Sequence, residues 1–261
     1  MTMTASTLDG KHAFVTGGSK GIGLAIAAAL LDSGACVTIG GRDEASLQAA
    51  LAQLQSRGKI NYVLLDVTDS AQLVQAFAHA VVRFGRVDIL INNAGQAGSA
   101  PFGKTDAALW QRMLDVNLSG TFHCTQQVLP DMLQAGWGRI VNVASTAGLT
   151  GYAYVAAYCA AKHGVIGLTR ALALEVATRG VTVNAVCPGY TETDIVHDAI
   201  ANIVAKTGRS AEQAKAELAA GNPQKRLVQP QEVADAVRWL CMPAASAMNG
   251  QAIAVAGGEL M

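Results

Sequence analysis

The chain has 261 residues, of which 51% are hydrophobic and 15% charged. That balance excludes intrinsic disorder, which needs low hydrophobicity and high charge, and the length suits one α/β domain with a large buried core. The 19 Lys and Arg offset the 19 Asp and Glu, so no net field recruits nucleic acid or an anionic membrane.

In chain order, short β-branched runs alternate with helical patterns. Residues 12–16 (HAFVT) predict a first strand, and 21–33 a helix ended by Gly34. Residues 36–39 predict the next strand, and 44–57 a helix stopped by Gly58. A strand over 61–65, a helix over 70–84 and a strand over 87–91 follow. Residues 105–135 read as one long helical region, broken or kinked at Pro130. Then come a strand over 139–143, a helix over 155–179 closed by Gly180, and a strand over 181–186. This rhythm predicts a parallel sheet with helices on both faces. Residues 191–229 break the rhythm as the most polar long stretch, with helical patches at 195–206 and 210–219. Ser210 and Gln213 are spaced as a capping box for the second patch. Residues 230–240 read as a helix with proline near its start, and 252–256 as a last strand. No linker, repeat or charge block divides the chain, so residues 1–261 are read as a single domain.

The five cysteines are Cys36, Cys124, Cys159, Cys187 and Cys241. An odd count with no C-x-x-C predicts neither a disulfide framework nor a zinc site, and a reducing cytoplasm is the expected setting. The five histidines show no metal spacing. The opening MTMTASTLDGKH lacks a basic region followed by an apolar stretch, so no secretory leader is predicted. The apolar run 22–31 is too short to span a bilayer.

Three constellations carry chemistry. The first is Thr16-Gly17-Gly18-Ser19-Lys20-Gly21-Ile22-Gly23, placed directly after the first strand and opening the first helix. Backbone N–H groups in such a turn, together with a helix N-terminus, face a pyrophosphate, and a Cβ would block that approach. The second is Tyr158-Cys-Ala-Ala-Lys162. Positions i and i+4 share a helix face, so both side chains can enter one cleft. A nearby ammonium is expected to lower the phenol's usual pKa of ~10 and suit it to acid–base work on an alcohol or ketone oxygen. Taken alone, the same pair also describes a packing tyrosine and a snorkelling lysine. The third is the end of the second strand, Gly41-Arg42-Asp43.

With its G-x-x-x-G-x-G spacing, the sequence resembles the short-chain dehydrogenase/reductase family, whose pattern is T-G-x-x-x-G-I-G. The resemblance runs from about Lys11 to Gly258. Asp66-Val67 matches the family's adenine-contacting D-V, and Asn92-Asn93-Ala94-Gly95 its N-N-A-G. Pro188-Gly189-Tyr190-Thr191-Glu192-Thr193 matches its P-G-x-x-x-T. The resemblance implies a Rossmann-type doubly wound sheet, a homotetramer and a catalytic tetrad of Asn117, Ser145, Tyr158 and Lys162. In that reading Tyr158 passes a proton to the carbonyl oxygen, Ser145 steadies that oxygen, Lys162 binds the nicotinamide ribose and Asn117 anchors a relay water. The cofactor would contact Gly17, Ser19, Lys20, Gly21, Ile22, Gly23, Arg42, Asp66, Val67, Asn93, Ala94, Gly95, Tyr158, Lys162, Pro188, Gly189, Thr191 and Thr193. Gly41 stands where NAD-specific relatives carry an acid. Arg42 and Lys20 would suit the 2′-phosphate of NADP(H), while Asp43 leaves NAD(H) open.

Gln96, Thr146, Tyr152 and Tyr190 flank the tetrad and are read as substrate-pocket residues, with Leu149, Tyr154 and Val155 beside them. The branch resembled is that of 3-oxoacyl-thioester reductases and polyketide ketoreductases, which implies an acyl-thioester substrate and a lid over 191–229. A cyclic, steroid or sugar alcohol is the second enzymatic reading. A nucleotide sensor without chemistry is the reading of another class, and loss of Tyr158 or Lys162 would be its sign; both are present.

Overall fold

The computed structural model describes residues 7–260. The reading of the first residues as lacking a leader falls partly outside them, in residues 1–6.

Strand β1 (His12–Thr16) is followed by helix α1 (Gly21–Asp32), β2 (Cys36–Gly41) and α2 (Glu44–Leu54). Next come β3 (Ile60–Leu64), α3 (Ser70–Phe84), β4 (Ile89–Asn92), α4 (Ala107–Leu114) and α5 (Gly120–Ala135). The chain continues through β5 (Gly138–Val143), α6 (Ala156–Val176), β6 (Val181–Pro188), α7 (Asp194–Thr207), α8 (Ala211–Ala219), α9 (Pro230–Cys241) and β7 (Ala252–Val255). The seven strands form one parallel sheet in the order β3-β2-β1-β4-β5-β6-β7. The winding reverses between β1 and β4, and a crevice opens there beyond the C-terminal strand ends.

Successive side chains on each strand enter opposite layers. Ala13, Val15, Val141 and Val143 join α1, α2 and α9 on one face. Phe14, Ile140 and Val183 join α3, α5 and α6 on the other. Phe14 and Phe77 stack there at 4.2 Å and 16°, worth about 1 kcal/mol beyond the area they bury. Buried on both sides, the strands read as near-continuous apolar runs, which is why their positions were legible.

Several elements differ from expectation, most by one to three residues at an end. Residues 105–135 are two helices joined by a π-helical turn, Asp115–Ser119. Pro130 lies inside α5 without ending it, since surrounding tertiary contacts hold a helix that lacks one N–H. Helix α2 stops at Leu54, three residues early, in a turn before Gly58. The polar segment forms α7 and α8, the second with the capping box of Ser210 and Gln213. Val196, Ala219 and Leu227 give it a small core of its own. All five cysteines are free, and no helix among the described residues is long and apolar enough to cross a membrane.

One polar group lies deep under the N-terminal edge of the sheet. His12 is buried, with Nδ1 2.8 Å from the Gly85 carbonyl and Nε2 2.9 Å from the Thr38 hydroxyl. A carbonyl only accepts, so Nδ1 carries the proton and Nε2 accepts from Thr38. Burial pushes the His12 pKa below its ordinary 6.5, against the opposing pull of the Gly85 bond and Asp88. The folded state thus favours neutral imidazole, and stability is full above 6.5 and falls as pH drops toward the lowered value. His12→Leu, which orphans the buried Thr38 hydroxyl and the Gly85 carbonyl, should cost about 2 kcal/mol at pH 8. Thermal melts should show the gap from wild type narrowing at pH 5.5.

Candidate active site

The glycine turn between β1 and α1 is shaped by steric need. Gly17 and Gly21 adopt φ of +63° and +54°, and a Cβ at Gly23 would lie 2.2 Å from the Gly17 carbonyl oxygen. Helix α1 has no side-chain cap and no acid in its first turn. Its free N–H groups and positive dipole end therefore face the crevice, an arrangement that fits a phosphate. The turn is sewn to the end of β4. The Thr16 hydroxyl accepts from the Asn93 and Ala94 amides at 3.0 and 2.9 Å, and Asn93 Nδ2 donates to the Thr16 and Gly17 carbonyls at 2.9 and 3.0 Å.

The chain beyond β6 closes the turn from above. A Cβ on Gly21 would meet Thr193 at 3.2 Å, and Lys20 Nζ pairs with Asp194 at 2.9 Å. Lys20 thus faces the start of α7, across an exposed ion pair, and Arg42 is the other cation expected at a 2′-phosphate. Arg42 lies 3.9 Å from Asp66, and both line a cleft of about 350 Å³ that reaches Gln96 and Val116. Asp43, whose carboxylate could have met a bare ribose, instead caps α2 by accepting from the Ser46 amide at 2.9 Å. Asp66 turns its carboxylate to the Thr68 amide and hydroxyl. Val67 is buried, and a Cβ on Gly120 would lie 2.7 Å from it. Thr191 is buried too, and its hydroxyl donates to the Gly189 carbonyl.

The side chains of the expected tetrad gather around the ends of β4 and β5. Helix α6 puts Tyr158 and Lys162 on one face, as the spacing predicted, and Lys162 is buried. Its Nζ donates to the Val143 carbonyl at 2.9 Å and lies 5.6 Å from the Tyr158 ring centroid. Ser145 caps a short 3₁₀ turn, accepting from the Ala147 amide at 3.1 Å, and its hydroxyl lies near enough to the Tyr158 phenol to favour the ionised form. Gly148 lets that turn rest on α6, because a Cβ there would be 2.8 Å from the Lys162 carbonyl oxygen.

Asn117 sits in the π-turn, whose extra residue rotates its side chain inward. Its Oδ1 accepts from the Gln96 amide at 3.2 Å, and its Nδ2 donates to the Gln96 and Met113 carbonyls at 3.0 Å. A Cβ on Gly95 would lie 2.9 Å from Asn117 Oδ1, forcing that side chain to shift, and 3.6 Å from Lys162 Nζ.

The electrostatics correct one expectation. Burial pushes the Tyr158 phenol up, and the Ser145 hydroxyl opposes that without Lys162 as an acidifying partner. The reason is geometric: the ammonium is turned to the Val143 carbonyl. Burial also pulls Lys162 itself down to about 8.

At the far end of the chamber the Tyr152 hydroxyl lies 2.9 Å from Thr146 Oγ1 and donates to Glu259 Oε1 at 2.5 Å. Tyr190 meets Tyr152 edge-on at 6.4 Å and 80°. Sequence reading missed Glu259, which no local pattern marks. It also missed a buried polar relay: Asn92 Nδ2 donates to Asn142 and Thr125, and Asn142 donates to Thr169. A lone Asn in the apolar run of β5 was the available signal.

Comparison with known proteins places this geometry. The short chain dehydrogenase family profile matches residues 11–204. A D-beta-hydroxybutyrate dehydrogenase of Cupriavidus necator is 39% identical over 96% of this chain and 98% of its own. A cis-4-hydroxycyclohexanecarboxylate dehydrogenase of Sinomonas cyclohexanicum is 39% identical over 94% and 95%. The crystal structure of a single-substitution variant of actinorhodin polyketide ketoreductase with NADPH superposes with a TM-score of 0.92 at 40% identity, covering 95% of this chain and 97% of that one. The chain belongs to the short-chain dehydrogenase/reductase family and is an NAD(P)-dependent oxidoreductase acting on secondary alcohols or the matching ketones.

Proposed function

We propose that this enzyme is an NADP(H)-dependent ketoreductase of 3-oxoacyl thioesters, with Tyr158, Ser145, Lys162 and Asn117 as its working residues. The carrying observation is the convergence of Tyr158, Ser145 and Lys162 at the strand ends beside an anion-binding glycine turn. When bound, the nicotinamide cofactor supplies or accepts a hydride. Burial keeps Tyr158 protonated at neutral pH, which suits it to donate a proton to a ketone oxygen. Ser145, beside that phenol, donates to the same oxygen. The Lys162 ammonium supplies positive charge beneath it, and Asn117 holds the loop of Gly95 and Gln96 that floors the site.

The cofactor preference rests on Arg42, on the absence of an acid at Gly41, and on Asp43 being used as a helix cap. The ketoreductase relative bound to NADPH supports it. The remaining predicted contacts, from Ser19 and Ile22 to Pro188, Gly189, Thr191 and Thr193, lie along the same crevice in this reading. Residues 191–229, carrying α7 and α8, act as a lid that excludes water. Exposed Phe122 on α5 and Leu174 on α6 suit the expected homotetramer, and five free thiols suit a cytoplasmic setting. The second reading, reduction of a cyclic ketone, draws on the hydroxycyclohexanecarboxylate relative.

Tyr158→Phe should lower kcat for reduction of acetoacetyl-CoA by ~10²–10⁴-fold while cofactor Kd stays within about threefold; near-native turnover would remove Tyr158 from this role. The kcat/KM profile should fall as pH rises past about 8, where Lys162 loses its proton, and activity level to pH 10 would show that its charge is not needed. Arg42→Ala should raise the KM for NADPH by roughly tenfold, the worth of a charge-assisted phosphate contact, and leave that for NADH nearly unchanged. Native kcat/KM with NADH equal to that with NADPH would overturn the preference.

A further inference from the structure

The segment after β7 returns over the substrate end of the crevice. Gly257 and Gly258 adopt φ of +61° and +91°. A Cβ on Gly257 would lie 2.2 Å from Asn222 Oδ1, and one on Gly258 3.4 Å from Pro223. The two glycines therefore let the segment pass tightly beneath the 219–223 stretch. Glu259 emerges from that passage with its carboxylate fixed on several sides. Oε1 accepts from Tyr152 at 2.5 Å. Oε2 would lie 2.8 Å from a Cβ on Gly189, and Oε1 3.6 Å from one on Gly221.

These contacts join the carboxylate to the reacting groups. The Tyr152 hydroxyl reaches Thr146, the neighbour of Ser145. After burial, the charge of Glu259 is the next influence raising the Tyr190 phenol, and Tyr190 in turn lies within electrostatic reach of Tyr158. Among the described residues Glu259 forms no ion pair. The side of the site reached through Tyr152 and Thr146 thus carries a carboxylate without a neutralising cation.

We propose that Glu259 is a specificity-determining residue that rejects free 3-oxo acids and admits their neutral esters and thioesters. The inference rests on the ketoreductase reading and deepens it. In a 3-oxo acid the carboxylate carbon is two bonds from the ketone carbon. It cannot leave the chamber while the ketone oxygen sits between Ser145 and Tyr158. Esterification removes that charge and keeps the reacting group unchanged. Two like charges sharing a partly dry site disfavour binding by roughly tenfold or more. The inference sets this chain's substrate apart from the hydroxy acid named for the Cupriavidus relative.

The test compares kcat/KM for acetoacetate and ethyl acetoacetate, with NADPH and the full chain. The native enzyme should prefer the ester. Glu259→Gln keeps an acceptor for Tyr152 but removes the charge, and should raise kcat/KM for acetoacetate about tenfold while the ester stays within twofold. Tyr152→Phe removes the hydrogen bond but keeps the charge, and should retain the preference for the ester. A ratio that Glu259→Gln does not move overturns the proposal alone, as does an equal change in both substrates or the same shift in Tyr152→Phe. Turnover of neither ketone by the native enzyme overturns the ketoreductase reading, and this proposal with it.

Discussion

A buried ammonium anchors the reactive end of this molecule. Lys162 is removed from water, which disfavours its charged form, and the Val143 carbonyl at the end of β5 is its hydrogen-bond partner. Helix α6 must therefore lie with its first turns over the strand ends. That placement carries Tyr158, one turn earlier, to the hydroxyl of Ser145 just past β5. The glycine at position 148 makes the close contact between turn and helix feasible. Phenol, hydroxyl and ammonium are held by one rigid seam of sheet and helix, an arrangement that would need little reorganisation in the proposed reaction.

The other half of the crevice obeys a different constraint, the reversal of winding between β1 and β4. Two strand ends there diverge into separate layers, and Thr16 and Asn93 bind the diverging loops together. The helix N-terminus left open by that arrangement offers backbone donors to an anion. Asn117 links the two halves: from its π-turn it braces Gln96 and crowds Gly95, which in turn leaves room for Lys162. A π-turn costs helix regularity, and its position between α4 and α5 reflects the need to aim one amide.

The proposed substrate end draws on distant parts of the chain. Tyr152, Tyr190 and Glu259 come from three separate segments and share one polar cluster. On the proposed reading, the reaction class follows from the seam and selectivity from this cluster. That division explains how one fold serves relatives named for hydroxybutyrate, a cyclohexane carboxylate and a polyketide.

Local patterns in the chain were enough to set the order of strands and helices, the glycine turn, and the pairing of Tyr158 with Lys162. Each of these is encoded within a few neighbouring residues, by periodicity, by backbone steric demand or by i, i+4 spacing. Those patterns left open which partners the charged groups would choose. Lys20 turned to Asp194, Asp43 to its own helix, and Lys162 to a backbone carbonyl rather than the phenol. The split of residues 105–135 at a π-turn was invisible because its cause is the distant backbone of Gln96. Tyr152 and Glu259 are 107 residues apart. Such contacts arise only in the folded chain, because burial and hydrogen bonding depend on segments that no local pattern brings together.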